Sequence, residues 1–400
     1  MIAYIGHKID FLSFLLQLLL QFKLLRSNKF IMAPKKKGGE AVVNDDRMRA
    51  ARFGRVKNDL SMGFVGLPNV GKSSLTNLLC GQMHAEAANY PFCTIDPNFV
   101  RVTVPDKNFK YLADCFYPPS VVPAVLKVVD IAGLIKGASE GEGLGNAFLS
   151  HIAAVDGIYH LVRCFDDPEV VHVNDDIDPI RDMDTILSEL CLKDGQGMES
   201  LLEAEKSRIR KEKGIGKSTE PPLSDAFKSA YDKVMKLLNS TTPVSNGTDF
   251  TLIEVGIIRE WSLITAKPIV YIINMDKKSF IRKGNKWLPK INDWVKEHGG
   301  GQIIPMSVEF EQELFDLNDD EDAQKAFLDQ CTEDAKTLYN ITNPNLLPKS
   351  VLTKMIRSGR QALCLQSYYT AGPKEVRSWT IQKGSLAPQA AGVIHSDFER

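Results

Sequence analysis

The chain has 400 residues and a mass of 44.5 kDa, a length typical of two or three domains. Its 44% hydrophobic and 25% charged residues are typical of a globular protein and exclude collagen-like and wholly disordered chains. Lys and Arg number 49 against 50 Asp and Glu. The resulting net charge of −1 excludes a protein-wide electrostatic attraction to nucleic acid and leaves only local basic patches.

The seven cysteines are scattered along the chain, and no two of them form a C-x-x-C pair. This distribution favours free thiols in a reducing, cytoplasmic environment over a disulfide framework or a zinc finger.

The first 31 residues differ in character from the rest. Their apolar run, 11–22, is too short to span a bilayer as a helix, so no membrane partner is expected. We interpret Met32 as the natural start and residues 1–31 as upstream sequence, with a targeting segment or a partner-binding amphipathic helix as the alternatives. Residues 32–58 then form a basic, flexible leader.

Apolar, β-branched runs predict six strands separated by helices, at 62–66, 99–104, 125–130, 157–162, 268–274 and 302–306. Several runs are continuous rather than alternating, as in strands that are buried on both faces. The alternation of strands and helices predicts an α/β fold with a mostly parallel sheet.

Strand signals vanish between 179 and 262, where apolar residues recur at helical spacing. This stretch predicts a helical, coiled-coil-like insert. Its mixed charges, such as those of 203–213, indicate a solvated face, and a docking surface is the alternative.

The strongest motif is Gly-Leu-Pro-Asn-Val-Gly-Lys-Ser at 66–73, which fits G-x-x-x-x-G-K-[ST] between a predicted strand and a predicted helix. In such a loop the backbone N–H groups and the helix N-terminus bind phosphate oxygens. Lys72 can bridge β- and γ-phosphates, and Ser73 can ligate Mg²⁺. The motif therefore predicts nucleotide binding.

A second motif, Asp-Ile-Ala-Gly at 130–133, follows the strand at 125–130. Asp130 can hold Mg²⁺ through a water, and the Gly133 N–H can reach a γ-phosphate and report its loss. Thr94 lies between the two motifs and can complete the Mg²⁺ shell, unless it is a turn residue before a strand. The candidate catalytic residues are Lys72, Asp130 and Gly133.

The base-recognition segment should follow the strand at 268–274. GTPases place Asn-Lys-x-Asp there, whereas this chain has Asn274-Met-Asp-Lys277. Asn274 is in place, but Lys277 replaces the guanine-binding carboxylate, and Asp276 falls one residue early and should point elsewhere. A site without that paired polar group rejects adenine poorly, so ATP is the expected substrate, with GTP as a second one. Ser307 is expected beside the base.

With these motifs the sequence resembles the YchF or Obg-like ATPases over about 52–400. The resemblance rests on 63–74, 89–98, 128–136, 143–151, 178–181, 283–287 and 369–398. It implies a P-loop NTPase domain, a helical insert and a C-terminal β-grasp (TGS) domain. It also implies that phosphates contact Asn69, Val70, Gly71, Lys72, Ser73 and Ser74, that Mg²⁺ is held by Ser73 and Thr94, and that adenine contacts the Met275 backbone.

On this basis the nucleotide domain comprises 59–178 and 263–345, around the insert at 179–262. A linker helix at 346–362 leads to a TGS domain at 363–400, which is expected to be incomplete because family members continue further. The implied partners are ATP or GTP and the ribosome, at its large subunit, without DNA contact and for a monomeric protein. Because the net charge is close to zero, ribosome contact requires local patches such as 206–217.

Hydrolysis is expected to be slow, because Leu134 occupies the position at which Ras-like enzymes place a water-orienting Gln. Three functions therefore stay open: an ATPase switch that docks on the ribosome, a nucleotide-stabilised binding module with little turnover, and a GTP-preferring GTPase. A small-molecule kinase fits poorly, since the chain lacks an arginine-bearing lid.

Overall fold

The computed structural model describes residues 53–54, 58–87, 99–131, 150–167, 176–214 and 219–399. The interpretations of residues 1–31 and the predictions for Thr94, Gly133 and Leu134 therefore lie outside the described residues. Phe53, within the predicted leader, is buried, and its ring meets that of Phe250 edge-on at a centroid distance of 5.7 Å. This residue is thus part of the folded core rather than of a flexible segment.

The described strands are β1 (Ser61–Val65), β2 (Val100–Thr103), β3 (Ser120–Val122), β4 (Val125–Asp130), β5 (Gly157–Arg163), β6 (Ile269–Asn274), β7 (Gln302–Met306), β8 (Leu365–Ala371) and β9 (Glu375–Gln382). Six of them form the main sheet in the order β2-β4-β1-β5-β6-β7. Only β2 runs antiparallel to its neighbour within this sheet. The predicted α/β fold and its six strands are confirmed.

Strand β6 shows why these runs are apolar on every residue. Val270 and Ile272 belong to one hydrophobic core, whereas Tyr271 and Ile273 belong to a second core on the opposite face of the sheet. Because side chains alternate between the faces of a strand, a strand covered on both sides needs apolar residues throughout.

The described helices are α1 (Lys72–Ala87), α2 (Lys107–Phe116), α3 (Pro179–Lys213), α4 (Asp225–Asn239), α5 (Leu252–Trp261), α6 (Lys277–Ile281), α7 (Leu288–Glu297), α8 (Val308–Asp316), α9 (Glu321–Tyr339), α10 (Leu352–Ala362) and α11 (Ala387–Gly392). Residues 150–154 are also helical. Within the described ranges, no helix is both long and apolar enough to cross a membrane.

Helices α3, α4 and α5 make up the predicted helical insert. Asp178 caps the start of α3 by accepting hydrogen bonds from the amides of Ile180 (3.1 Å) and Arg181 (3.2 Å). Farther along α3, buried Asp194 accepts hydrogen bonds from the amides of Ile264 (2.9 Å) and Thr265 (2.8 Å). The insert is thereby fastened to the segment that leads into β6.

Helix α10, which covers most of the predicted linker, packs directly against the main sheet. The Tyr159 hydroxyl on β5 donates a hydrogen bond to the Met355 carbonyl at 2.9 Å. A Cβ at Gly359 would lie only 2.0 Å from that hydroxyl, so the close approach requires glycine. Leu352 and Ile356 are buried in the same core as β1 and β4. The helix is thus an integral layer of the nucleotide domain.

A second, three-stranded sheet has the order β3-β9-β8. Strands β8 and β9 form an antiparallel hairpin near the C-terminal end, and β9 pairs in parallel with β3. The Ser120 hydroxyl donates to the Glu375 carboxylate at 3.3 Å, and the Tyr369 hydroxyl donates to Asp106. The C-terminal hairpin therefore completes a sheet with a strand from the nucleotide domain.

Candidate nucleotide-binding site

The loop between β1 and α1 has the backbone path that a phosphate-binding loop needs. Asn69 and Gly71 adopt positive φ angles of 59° and 100°. A Cβ on Gly66 would lie 2.6 Å from the Leu161 carbonyl oxygen, and a Cβ on Gly71 would lie 2.7 Å from Nδ2 of Asn274. Both glycines are therefore required by sterics, and they let the loop wrap tightly in front of the α1 N-terminus.

Lys72, the first residue of α1, is held inside this loop. Its Nζ donates to the carbonyl oxygens of Leu67 (2.7 Å) and Gly66 (3.1 Å), and the residue is 7% exposed. Burial lowers the pKa of Lys72 to about 8, although the nearby Asp130 carboxylate opposes this shift. The ammonium is thus partly desolvated and bound only to neutral carbonyls, which makes it a good partner for a phosphate oxygen.

Three further predicted residues lie at the start of α1 and at the end of the neighbouring strand β4. Ser73 and Ser74 are exposed in the first turn of α1, and Asp130 is exposed at the end of β4, which pairs directly with β1. A hydroxyl and a carboxylate are hard oxygen donors of the kind that Mg²⁺ prefers, so the Ser73 and Asp130 side chains fit this ion. The described ranges contain no group of three or more His, Cys, Asp or Glu side chains that could hold a metal alone.

Asn274 links the phosphate-binding loop to the other end of the site. Its Nδ2 donates to the Val70 carbonyl at 3.0 Å, and its Oδ1 accepts from the Val308 amide at 3.1 Å. The residue is only 4% exposed. Both ends of the side-chain amide are therefore engaged in holding loop and helix together.

Met275 and Ser307 lie next to this link. The Met275 amide donates to the Met306 carbonyl at 2.9 Å, and the Met275 side chain is buried in the core. Ser307 is fully buried and caps α8 by accepting a hydrogen bond from the Phe310 amide at 3.2 Å. Both residues thus lie at the predicted base-recognition segment, and the hydrogen bonds described here hold the backbone of that segment in place.

The side chains of the two residues after Met275 make contacts within the protein instead of extending toward a base. Asp276 caps α6 by accepting a hydrogen bond from the Ser279 amide at 2.7 Å, so it does point elsewhere, as predicted. The Lys277 ammonium pairs with Glu313 on α8 and lies 4.7 Å from the centroid of the Phe327 ring. At the position where guanine recognition requires a carboxylate, the chain thus holds a lysine that is paired with an acid.

Sequence reasoning missed Glu313 and a second contact that supports the same segment. The Asn285 Nδ2 donates to the Cys164 carbonyl at 2.9 Å, and the Cys164 amide donates to the Asn274 carbonyl at 2.7 Å. Only the asparagine in the turn signal Gly284-Asn285 hinted at this role. His151 is exposed in the helical stretch 150–154.

The parallel sheet, the glycine-dependent loop before α1 and the desolvated lysine together define a P-loop nucleoside-triphosphatase. Comparisons with known proteins identify the family within this class. The family described as "50S ribosome-binding GTPase" matches residues 61–199, and the YchF GTPase C-terminal family, described as a protein of unknown function, matches residues 365–400.

Curated relatives match most of the chain. Obg-like ATPase 1 of Schizosaccharomyces pombe is 46% identical over 352 residues, which cover 87% of this chain and 84% of the relative. Obg-like ATPase 1 of Homo sapiens is 43% identical over 373 residues, with coverages of 92% and 86%. The solved structure of the Schizosaccharomyces pombe YchF GTPase superposes with a TM-score of 0.70 at 44% identity and covers 86% of both chains. The chain therefore belongs to the YchF and Obg-like ATPase family of P-loop nucleotide-binding hydrolases.

Proposed function

We propose that the protein is a Mg²⁺-dependent ATPase, with GTP as a second substrate, that works as a slow nucleotide-controlled switch and docks on the large ribosomal subunit. The observation that carries the choice of ATP is the pairing of Lys277 with Glu313. Discrimination against adenine needs an unpaired acceptor that adenine cannot satisfy. Here Asp276 is committed to capping α6, and the following position is basic.

The names of the relatives support both nucleotides. The curated relatives are called ATPases, whereas the matching family description and the solved structure are called GTPases. A GTP-preferring GTPase is therefore the second candidate, and the experiment below separates the two.

The proposed roles follow from the site geometry. The Lys72 ammonium leaves the carbonyl oxygens of Gly66 and Leu67 and binds β- and γ-phosphate oxygens, whose charge also raises its pKa again. The loop amides of residues 69–74 bind the same phosphates. Ser73, Asp130 and Thr94 would hold Mg²⁺, which supplies positive charge against the developing charge of the phosphates. Gly133 is proposed to sense the γ-phosphate.

Slow turnover and docking are proposed on other grounds. Leu134 cannot orient water by hydrogen bonding, so a partner that supplies a water-orienting group would accelerate hydrolysis. The printed name of the matching family indicates the ribosome as that partner. We also propose that the protein is cytoplasmic and monomeric, in agreement with a role at the ribosome.

The test is phosphate release with ATP and with GTP, with and without ribosomes, for the wild type and for Lys72→Ala. We expect faster release from ATP, stimulation by ribosomes and loss of release in the variant. Equal rates for wild type and variant would overturn hydrolysis at this site. Strong preference for GTP would favour the second candidate, and nucleotide binding without release would indicate a binding module.

A further inference from the structure

A group of exposed lysines follows the base-recognition segment along the chain and recurs around the start of α10. Two of them lie in the α6–α7 loop, one lies on α7, one precedes α10 and one belongs to α10. We call them the lysine patch: Lys283, Lys286, Lys290, Lys349 and Lys354. Burial and, to a lesser degree, the positive charges of Lys349 and Lys354 lower the pKa of Lys283.

The lysines of the patch are not ion-paired within the described ranges, although the buried Glu311 carboxylate accepts a hydrogen bond from the Val351 amide at 2.7 Å, two residues after Lys349. In the part of the chain that the structure describes, none of the five ammonium groups forms an ion pair with a carboxylate. The adjacent Arg282 guanidinium is also bound only to neutral groups, the Gly284 carbonyl and the Ser279 hydroxyl. Holding like charges near one another without ion pairs has an electrostatic cost, which a bound polyanion would reduce.

The helical insert, where the sequence suggested a basic docking patch, is different. Lys206 pairs with Glu203 (3.1 Å) and Glu220 (2.9 Å), and Arg208 pairs with Glu205 (2.6 Å) and Glu212 (2.8 Å). Two of the basic side chains of this stretch are thus paired with acids within the insert itself. The lysines of the patch differ from these two in having no such pair among the described residues.

Aromatic rings support the patch from below without exposing an apolar surface. The Lys283 ammonium lies 4.1 Å from the centroid of the Phe280 ring, and those of Lys286 and Lys290 lie 5.3 and 5.1 Å from the Trp287 ring. Phe280 is 2% exposed, and Trp287 is partly buried. A charged surface whose aromatic rings are buried or half-buried suits a phosphate backbone better than a membrane.

The patch is also coupled to the nucleotide site by short contacts. Asn285, within the patch loop, donates to the Cys164 carbonyl, and the Cys164 amide in turn donates to the Asn274 carbonyl. Asn274 holds the phosphate-binding loop through Val70. Two hydrogen bonds in series therefore connect the loop of the patch to Asn274, in the segment proposed to bind nucleotide.

We propose that the lysine patch is the surface through which the protein binds the phosphate backbone of ribosomal RNA. The inference rests on the proposed ribosome docking and names the face that makes the contact. Each lysine that neutralises a phosphate releases counterions, so binding must weaken steeply as salt rises. An acidic ribosomal protein is the competing ligand.

The test compares three proteins by co-sedimentation with large ribosomal subunits over a range of salt concentrations. The patch variant is Lys286→Gln/Lys290→Gln/Lys354→Gln, and the control variant is Lys206→Gln/Arg208→Gln in the insert. All substituted residues are away from the phosphate-binding loop, and thermal unfolding and nucleotide binding verify that each protein is folded. We expect the patch variant to bind at least about tenfold more weakly, with a salt slope smaller by roughly three, while the control binds as the wild type.

A short RNA duplex and polyglutamate serve as defined probes alongside the subunits. Binding of the wild type to the duplex, lost in the patch variant, supports the proposal. If the wild type binds polyglutamate but not the duplex, the proposal is overturned in favour of an acidic protein as the ligand. If the wild type binds subunits and the patch variant binds equally well, this inference fails while ribosome docking stands. If the wild type does not bind subunits at all, ribosome docking fails, and this inference fails with it.

Discussion

The side chain of Asn274 fixes the position of Val70: its amide nitrogen donates to the Val70 carbonyl oxygen at 3.0 Å, across 204 residues of sequence. The same side chain accepts a hydrogen bond from Val308 at the start of α8. The segment expected to recognise the base is therefore also a clamp on the loop expected to bind the phosphates. The segments proposed to bind the base and the phosphates are joined through the side chain of one asparagine.

Replacing Asn274 with Ala should weaken both stability and nucleotide binding. The change leaves the buried Val308 amide and Val70 carbonyl without these partners, which costs about 1–3 kcal/mol. Asn274→Asp should be worse, because it places a carboxylate oxygen against the Val70 carbonyl. Chemical denaturation and a fluorescent-nucleotide titration measure the two effects, with the exposed Asn318→Ala as control. Unchanged nucleotide affinity in Asn274→Ala would contradict the clamp.

Nucleotide affinity should fall as the pH rises above 8. Burial holds the pKa of Lys72 at about 8 in the free protein, so the neutral amine dominates at higher pH. Since phosphate binding requires the ammonium form, a proton must be taken up on binding, and affinity should drop about tenfold between pH 7 and pH 9. Titration with Mg²⁺ and a non-hydrolysable nucleotide measures this drop. The Lys72→Gln variant should bind weakly with little pH dependence, and a flat wild-type profile would exclude the mechanism.

Nucleotide preference should respond to the pair Lys277 and Glu313. A carboxylate at 277 is what guanine recognition needs, but Lys277→Asp alone would face Glu313 and the Glu309 carboxylate, which accepts from the residue 277 amide. The double variant Lys277→Asp/Glu313→Gln removes part of this repulsion and should raise the ratio of GTP to ATP affinity by about tenfold or more.

Competition binding with both nucleotides provides the measurement. The neighbouring exposed Lys278→Asp supplies a control for the change in charge alone, and it should leave the ratio unaltered. Adding Met275→Lys, which would imitate the GTPase motif more fully, is expected to unfold the site because Met275 is only 2% exposed. An unchanged ratio in the double variant would show that base selection lies elsewhere.

Stability should decline in acid through His160. This side chain lies on β5 in the core against Tyr271, and burial lowers its pKa to about 4. The folded pKa lies below that of the unfolded chain, so the unfolded state takes up the proton first as pH falls. Stability is then lost between about pH 6.5 and 4, at up to roughly 1.4 kcal/mol per unit. The stability of the wild type relative to His160→Phe, followed by denaturant unfolding, should fall as pH is lowered across this window; a pH-independent difference would exclude the effect.

Some parts of the fold and of the site can be predicted from the sequence, because they depend on residues that are close together in the chain. Strand β6 is apolar throughout since both its faces are covered, and the loop at 66–73 is contiguous, so its residue types alone indicate phosphate binding. The ion-pair partner of Lys277 could not be predicted in this way, because Glu313 lies on α8, which follows the next strand, β7. The lysine patch likewise combines residues from the α6–α7 loop with residues more than 60 positions later around α10, so no local sequence pattern could indicate it.

The pairing of β3 with β9 has a consequence for how the chain reaches its folded state. Ser120 and Glu375, which meet at this pairing, are 255 residues apart. During synthesis, β3 emerges long before its partner, and its edge stays unpaired until the C-terminal hairpin is made. Contacts of such high sequence separation form slowly, so assembly of this sheet should be the last step of folding and the point at which incomplete chains are most prone to aggregate.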